Sequence, residues 1–329
     1  MEDSPAEEAP PASPGRFIWV ALALAAAGVG ALGALAVLGG GGGGARVELP
    51  MPPPPAAAGA VPERALIEQS VDGPLPIIAA DGRQAWQVYA RPFDPGDRRP
   101  RVAVVISGLG LDADMTRAAV TRLPPSVSLG FSPYARDLPN WIGVARKAGH
   151  EVLLGLPMEP VDYPRQDPGP ATLLTALDPA QNLLRLHWTM SRGTNYVGLV
   201  AILGGRFATI RPSLEPILED LKKRGLMFVD NHAADASVAG ELGHDLGMAW
   251  AAADRRLDGE MSAAAIDQAL ADLDALAGKD GAALGLGGLY PMTIERVIAW
   301  APTLEKTGLA LAPATAVAGR QHLQAKAGP

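Results

Sequence analysis

Residues 101–110 read RVAVVISGLG and residues 282–288 read AALGLGG, two apolar runs that each end in glycine. Runs of this length, apolar at nearly every position, suit a strand covered on both faces, because a half-exposed strand alternates apolar with polar residues. Working outward from Val102–Ile106 and Ala282–Gly287, further candidate strands fall at Val127–Phe131, Glu151–Leu156, Tyr196–Ile202, Leu226–Asp230, Met248–Ala252 and Leu309–Ala312. Helical stretches with legible ends separate them. Asp178 stands as an N-cap before Pro179, and that helix stops by Gly193. Ser262 opens a stripe of Ile266, Leu270, Leu273 and Leu276, and a third helix runs from about Ser213 through Leu214, Ile217, Leu218 and Leu221 to Gly225. Such alternation implies parallel strands covered by helices, either a closed barrel or a doubly wound sheet, in one domain over residues 101–320.

Upstream of this domain the composition changes. The first 16 residues form an acidic tail, and Phe17–Leu38 then contains no charged residue in 22 positions. A helix of that length spans the roughly 30 Å hydrocarbon layer of a bilayer, so 17–38 reads as a single transmembrane helix. A cleaved signal peptide is the competing reading, but its apolar core is usually shorter and its leading tail basic. Arg16 on one flank is set against Arg46 and Arg64 on the other, so charge alone does not orient the span. Residues 39–61 combine Gly39–Gly44 with Pro50 and Pro52–Pro55, a flexible and then stiffer tether. Residues 62–100 read as an extended arm that packs on the domain through Trp86, Val88 and Tyr89, and residues 321–329 as a tail.

The formal charge of −7 and the absence of a basic run exclude the footprint of a nucleic-acid binder. There is no cysteine, so thiolate ligands, disulfides and cysteine nucleophiles are excluded together, and a metal would have to be held by His, Asp or Glu. In parallel α/β folds chemistry gathers where the strands end. Those positions here are Ser107–Gly110, Ser132–Pro133, Leu156–Pro160, Ile202–Gly205, Asp230–His232, Asp254, Gly287–Gly288 and Pro313, a set poor in titratable groups.

The segments VVISGLG (104–110), LLGLPMEP (153–160), YVGLVAILGG (196–205), MFVDNHAADASVA (227–239) and ALGLGGLYPMTIE (283–295) occur in an order and spacing that resembles the divergent polysaccharide deacetylases. The resemblance implies an irregular (β/α) barrel of the polysaccharide deacetylase type. It also implies a periplasmic domain on the inner membrane, and a relationship to carbohydrate esterases that use a divalent metal, usually zinc, against an N-acetyl group. Matched position by position, it also implies losses. Ser107 and Gly108 stand where the family carries an Asp pair, Gly155 where it has a His, and Val200–Gly204 where it has Asn-Asn-His-Met-Gly. Gly287–Pro291 stand in place of Gly-His-Pro-His-Pro. Glycine and aliphatic side chains offer no ligand atom, so no bound cofactor is expected.

What survives is Asp230, which matches a family Asp and is followed by Asn231 and His232, together with Asp258, which also matches one. These three, Asp230, His232 and Asp258, are the candidate catalytic residues of a relocated site. The competing reading makes Asp230 a turn cap and His232 an exposed loop residue. His150, His187, His244 and His322 show neither HExxH nor HxH spacing and read as surface or packing residues. Ser107 lacks the GxSxG elbow of a nucleophile, and the glycine clusters lack the spacing of phosphate loops. The expectation is therefore a membrane-anchored, catalytically degenerate deacetylase-like protein that binds a glycan or an envelope protein. The alternative is an active hydrolase built on Asp230 and His232, with zinc or another divalent metal.

Overall fold

The computed structural model describes residues 61–71 and 73–321, besides Met1. The proposed span 17–38, the tether up to residue 60 and His322 lie outside the described residues. Among the described residues no helix is long and apolar enough to cross a membrane.

The strands are β1 (Ile67–Ser70), β2 (Gly73–Pro76), β3 (Arg101–Leu109), β4 (Ser128–Phe131), β5 (Val152–Met158), β6 (Gly198–Leu203), β7 (Met227–Asp230), β8 (Trp250–Ala252), β9 (Arg255–Arg256), β10 (Ala282–Gly288) and β11 (Ala310–Ala312). The helices are α1 (Ala85–Val88), α2 (Ala113–Arg122), α3 (Leu138–Lys147), α4 (Pro179–Ser191), α5 (Arg211–Lys223), α6 (Ala239–Leu246), α7 (Ala263–Asp280), α8 (Pro291–Trp300) and α9 (Ala314–Val317). All eight strands read from the sequence are present, within a few residues of their bounds. Asp178 and Ser262 cap α4 and α7 as read, each accepting a backbone N–H at the third helical position. The helix read from Ser213 starts earlier, at Arg211, with Pro212 in its first turn.

Every pairing in the main sheet is parallel, in the order β8-β7-β6-β5-β4-β3-β10-β9, with β11 also on β3. Val102–Ile106 of β3 are wholly buried, as are Leu153, Leu154 and Leu156 of β5. The continuous apolar runs thus mark strands with both faces covered, as parallel sheets require. The sheet curls, and one segment touches both of its edges. Ala253 donates to the Asp230 carbonyl beyond β8, and the next residue, Asp254, donates to Leu284 in β10. The two-residue β9, not read from the sequence, is the continuation of this segment along β10.

The ends of the strands at which the chain enters are covered by the arm. Its β1–β2 hairpin is a separate antiparallel pair in which Pro74 and Pro76, lacking N–H groups, suit a strand with no further neighbour. Trp86 N–H donates to the Gly225 carbonyl, and Tyr89 is buried and accepts from Glu63 N–H. Glu151, just before β5, is the polar centre of this end. Its carboxylate is fully buried and accepts from Arg91 N–H, the Ser128 hydroxyl, and the N–H and hydroxyl of Thr315. Arm, sheet and C-terminal segment therefore meet on one side chain. His150 beside it is buried, its ring nitrogens 2.8 and 3.1 Å from the carbonyl oxygens of Val127 and Val120, and is a packing residue.

Removing that shared acceptor orphans several buried donors at once. Glu151→Ala is expected to cost about 3 kcal/mol, measured by urea unfolding, and to expose the arm to limited proteolysis before the barrel unfolds. A loss below about 1 kcal/mol would show that the three segments are held by something else.

Candidate functional site

The parallel register brings the C-terminal ends of β3, β5, β6, β7 and β10 to one rim, which carries Ser107, Met158, Leu203, Asp230 and Gly288. The loops that follow these strands form the mouth of the curled sheet. Two of its non-glycine residues, Leu203 and His232, adopt left-handed backbone with φ of 58° and 50°. Such conformations cost about 1–3 kcal/mol and need support from their surroundings. The Asn231 amide donates to the Leu203 carbonyl at 2.8 Å and so joins the two strained positions across the mouth.

Asp230 is almost fully buried. One of its carboxylate oxygens accepts from His232 N–H at 3.2 Å, the other from the Ser237 hydroxyl at 2.7 Å. Burial raises its pKa, against the opposing pull of Ser237 and His232. The His232 ring is half-buried rather than exposed, with Nδ1 3.2 Å from the Ala253 carbonyl. Asp254 stands nearby, accepting from Leu284 N–H and the Gln321 amide. Burial raises its pKa too, while His232 favours its ionised form. The structure thus gathers Asp230, His232, Ser237 and Asp254. Of these, Ser237 and the nearness of Asp254 were not legible, because they depend on the path of the loop after β7 and on the β8–β9 link.

Asp258 lies elsewhere, against β10. Its side chain is buried and accepts from Gly288 N–H and the Thr293 hydroxyl, with Arg256 3.5 Å away. Among the described residues no hydrogen bond or ion pair joins it to Asp230 or His232. His187 pairs with Asp220 at 2.9 Å on the helical layer, and His244 is exposed on α6. Ser107 donates to the Gly287 carbonyl at 3.3 Å with no histidine partner.

The positions implied to have lost metal ligands are filled. A Cβ added to Gly155 would stand 2.3 Å from Cδ1 of Ile202, so the two substituted positions interlock, one side chain occupying the space the other lacks. The same happens in β10, where a Cβ on Gly288 would stand 2.5 Å from the Tyr290 ring. These residues do not fit a divalent metal, because aliphatic and glycine positions supply no donor atom. Among the described residues no three His, Asp or Glu side chains gather in a group able to hold one.

The fold and this rim define a class: a parallel α/β fold whose curled half-barrel sheet brings its strand ends to one rim. A family profile described as divergent polysaccharide deacetylase matches residues 104–318, and the chain belongs to that family. The crystal structure of an uncharacterized protein from Agrobacterium tumefaciens C58 is 38% identical, with a TM-score of 0.72, covering 74% of this chain and 99% of that one. Remoter likenesses are a putative cellobiose-phosphate cleavage protein from Enterococcus faecalis V583 (14% identical, TM-score 0.47, covering 67% of this chain and 99% of that one) and a family 4 carbohydrate esterase from Streptomyces lividans in complex with acetate (16% identical, TM-score 0.37, covering 64% and 91%). No curated protein sequence matches the chain.

Two measurements follow from this geometry. Gly155→Ala is expected to destabilise the domain by about 1–3 kcal/mol through overpacking, and Ile202→Ala in the same chain to restore about 1 kcal/mol or more of that loss. Additive effects would show that the two residues do not interlock. For Asp230, a folded pKa above the ordinary value of about 3.9 means the native state binds more protons than the unfolded one. Stability then rises as pH falls through the folded pKa, and levels off below about 3.9. Asp230→Asn is expected to flatten this part of the stability profile, read from urea midpoints across acid pH. An unchanged profile would assign the slope to other groups.

Proposed function

We propose that this chain is a catalytically degenerate deacetylase-like protein, held on the inner membrane by residues 17–38, whose periplasmic barrel uses its mouth to bind a glycan or an envelope protein. The observation that carries the reading is the contact of Ile202 with the space above Gly155. Aliphatic packing stands there in place of donor atoms, and such a surface is suited to binding rather than to metal-assisted hydrolysis. The membrane part of the proposal rests on the uncharged 22-residue run and the glycine tether after it.

One arrangement favours a second reading, an active hydrolase. Asp230 is a buried carboxylate with a raised pKa beside His232 and Asp254, and perturbed acids in a cleft are candidates for acid–base work. Against it, Asp230 is engaged by Ser237 and His232 N–H, and Asp258 is committed to Gly288 and Thr293. Both carboxylates hold loops in place.

Thermal unfolding separates the two readings. The melting temperature is expected to be unmoved by zinc or EDTA, with no turnover of acetylated amino-sugar oligomers. A ligand at 100 times its Kd would instead contribute about 2.7 kcal/mol. Zinc-dependent stabilisation and turnover, both lost in Asp230→Ala and His232→Ala, would establish the relocated hydrolase.

A further inference from the structure

Residues 314–321 run as a strap from one part of the main sheet to another. At its start Ala314 N–H donates to the Ser128 hydroxyl, Thr315 bonds to Glu151, and the Arg101 guanidinium donates to the Ala316 carbonyl at 2.7 Å. The chain then turns at Gly319, whose φ of 66° lies in the left-handed region that glycine adopts without strain. Beyond the turn it lies along β8. Gly319 N–H donates to the Trp250 carbonyl at 2.9 Å. The Gln321 side-chain carbonyl accepts from Ala252 N–H at 2.8 Å, and its NH2 group donates to the Ala252 carbonyl at 2.7 Å and to the Asp254 carboxylate at 2.5 Å.

These bonds stand where the sheet does not close by strand pairing. One edge of β8 pairs with β7. Along its other edge β10 is met only from Asp254 onward, through Asp254 N–H on the Leu284 carbonyl and then through β9. The Trp250 carbonyl and both peptide groups of Ala252 therefore have no strand partner there, and such an edge is costly if covered and open to foreign chains if not. The Gln321 amide is planar and carries one acceptor and two donors, so it acts at this seam as a peptide group of a neighbouring strand would.

The two parts of the strap are held differently. Ala314 and Val317 are wholly buried, and Thr315 reaches the buried Glu151. From 319 to 321 no side chain is buried, Gly319 and Arg320 are exposed, and the attachments to β8 are the hydrogen bonds just named. Segments with few buried apolar contacts and accessible hydrogen bonds open at low free energy, without global unfolding. We infer that residues 319–321 are a releasable latch: hinged at Gly319, they close the seam between β8 and β10, and on leaving they uncover the β8 edge and free the Asp254 carboxylate while the rest of the domain stays folded. Asp254 stands beside His232, so the latch joins the C-terminal end of the domain to the candidate site.

The test is hydrogen–deuterium exchange of the full chain in detergent, read by fragmentation mass spectrometry at the Ala252 amide and, for comparison, across β3. In the unaltered chain Ala252 is expected to exchange at least about tenfold faster than β3. Gln321→Ala is expected to speed Ala252 by a further factor of about ten and to leave β3 unchanged. Gln321→Glu keeps the length but brings no donor and a second carboxylate to Asp254, and is expected to act in the same direction, as is a chain ending at Ala318. Arg320→Ala, on the exposed neighbour, is expected to change neither. Exchange at Ala252 as slow as in β3, no response to Gln321→Ala, an equal response to Arg320→Ala, or a rise in β3 together with Ala252 would each overturn the latch. Should the shortened chain not fold, the point variants decide, because they leave the Gly319 bond in place.

Discussion

The complete burial of β3 is the constraint on which the rest of the structure depends. With Val102–Ile106 removed from water, each backbone N–H and C=O of that strand needs a partner, and an unpaired one costs as much as a lost hydrogen bond. The strand meets this by pairing with β10 along one edge, and with β11 and then β4 along the other. The last strand of the domain is thereby drawn back to the first. This places α9 against β3 and β10, where Thr315 reaches Glu151. All pairings of the main sheet being parallel, each of its strands then delivers its C-terminal end to the same rim.

The two ends of the barrel have diverged in chemistry. At the end where the chain enters, Glu151 is a fully buried carboxylate with four hydrogen bonds, and burial pushes its pKa up. A group so placed is expensive to desolvate, and its hydrogen bonds join three segments of the chain. At the mouth the change runs the other way. Gly155, Ile202 and Gly288 pack against aliphatic or aromatic neighbours, and Asp230 and Asp258 accept from the N–H groups of His232 and Gly288.

The candidate site was partly legible. Asp230 and His232 are two residues apart in the chain and remain together, and the lack of a ligand side chain at 155, 202 and 288 could be read from residue type alone. Asp258 was legible as a carboxylate near a strand end but not as a partner of Thr293 and Gly288, since that depends on how α8 starts beneath it. The pairing of Arg206 with Glu159 and of Arg256 with Asp258 gave no signal in the sequence, since it depends on how the loops fold.

By itself the amino-acid sequence determined the order of strands and helices, the helix caps at Asp178 and Ser262, the family, and the absence of a donor atom at Gly155, Ile202 and Gly288. These depend on local periodicity, on side chains within a turn of one another and on the presence or absence of a donor atom. Only the tertiary structure decided that Ile202 lies against Gly155. It alone linked β7 to β10 through residues 253 and 254, and brought Asp254 near His232. The physical reason is common to all three: each is a contact between residues far apart in the chain, made when parallel pairing brings strand ends to the same rim.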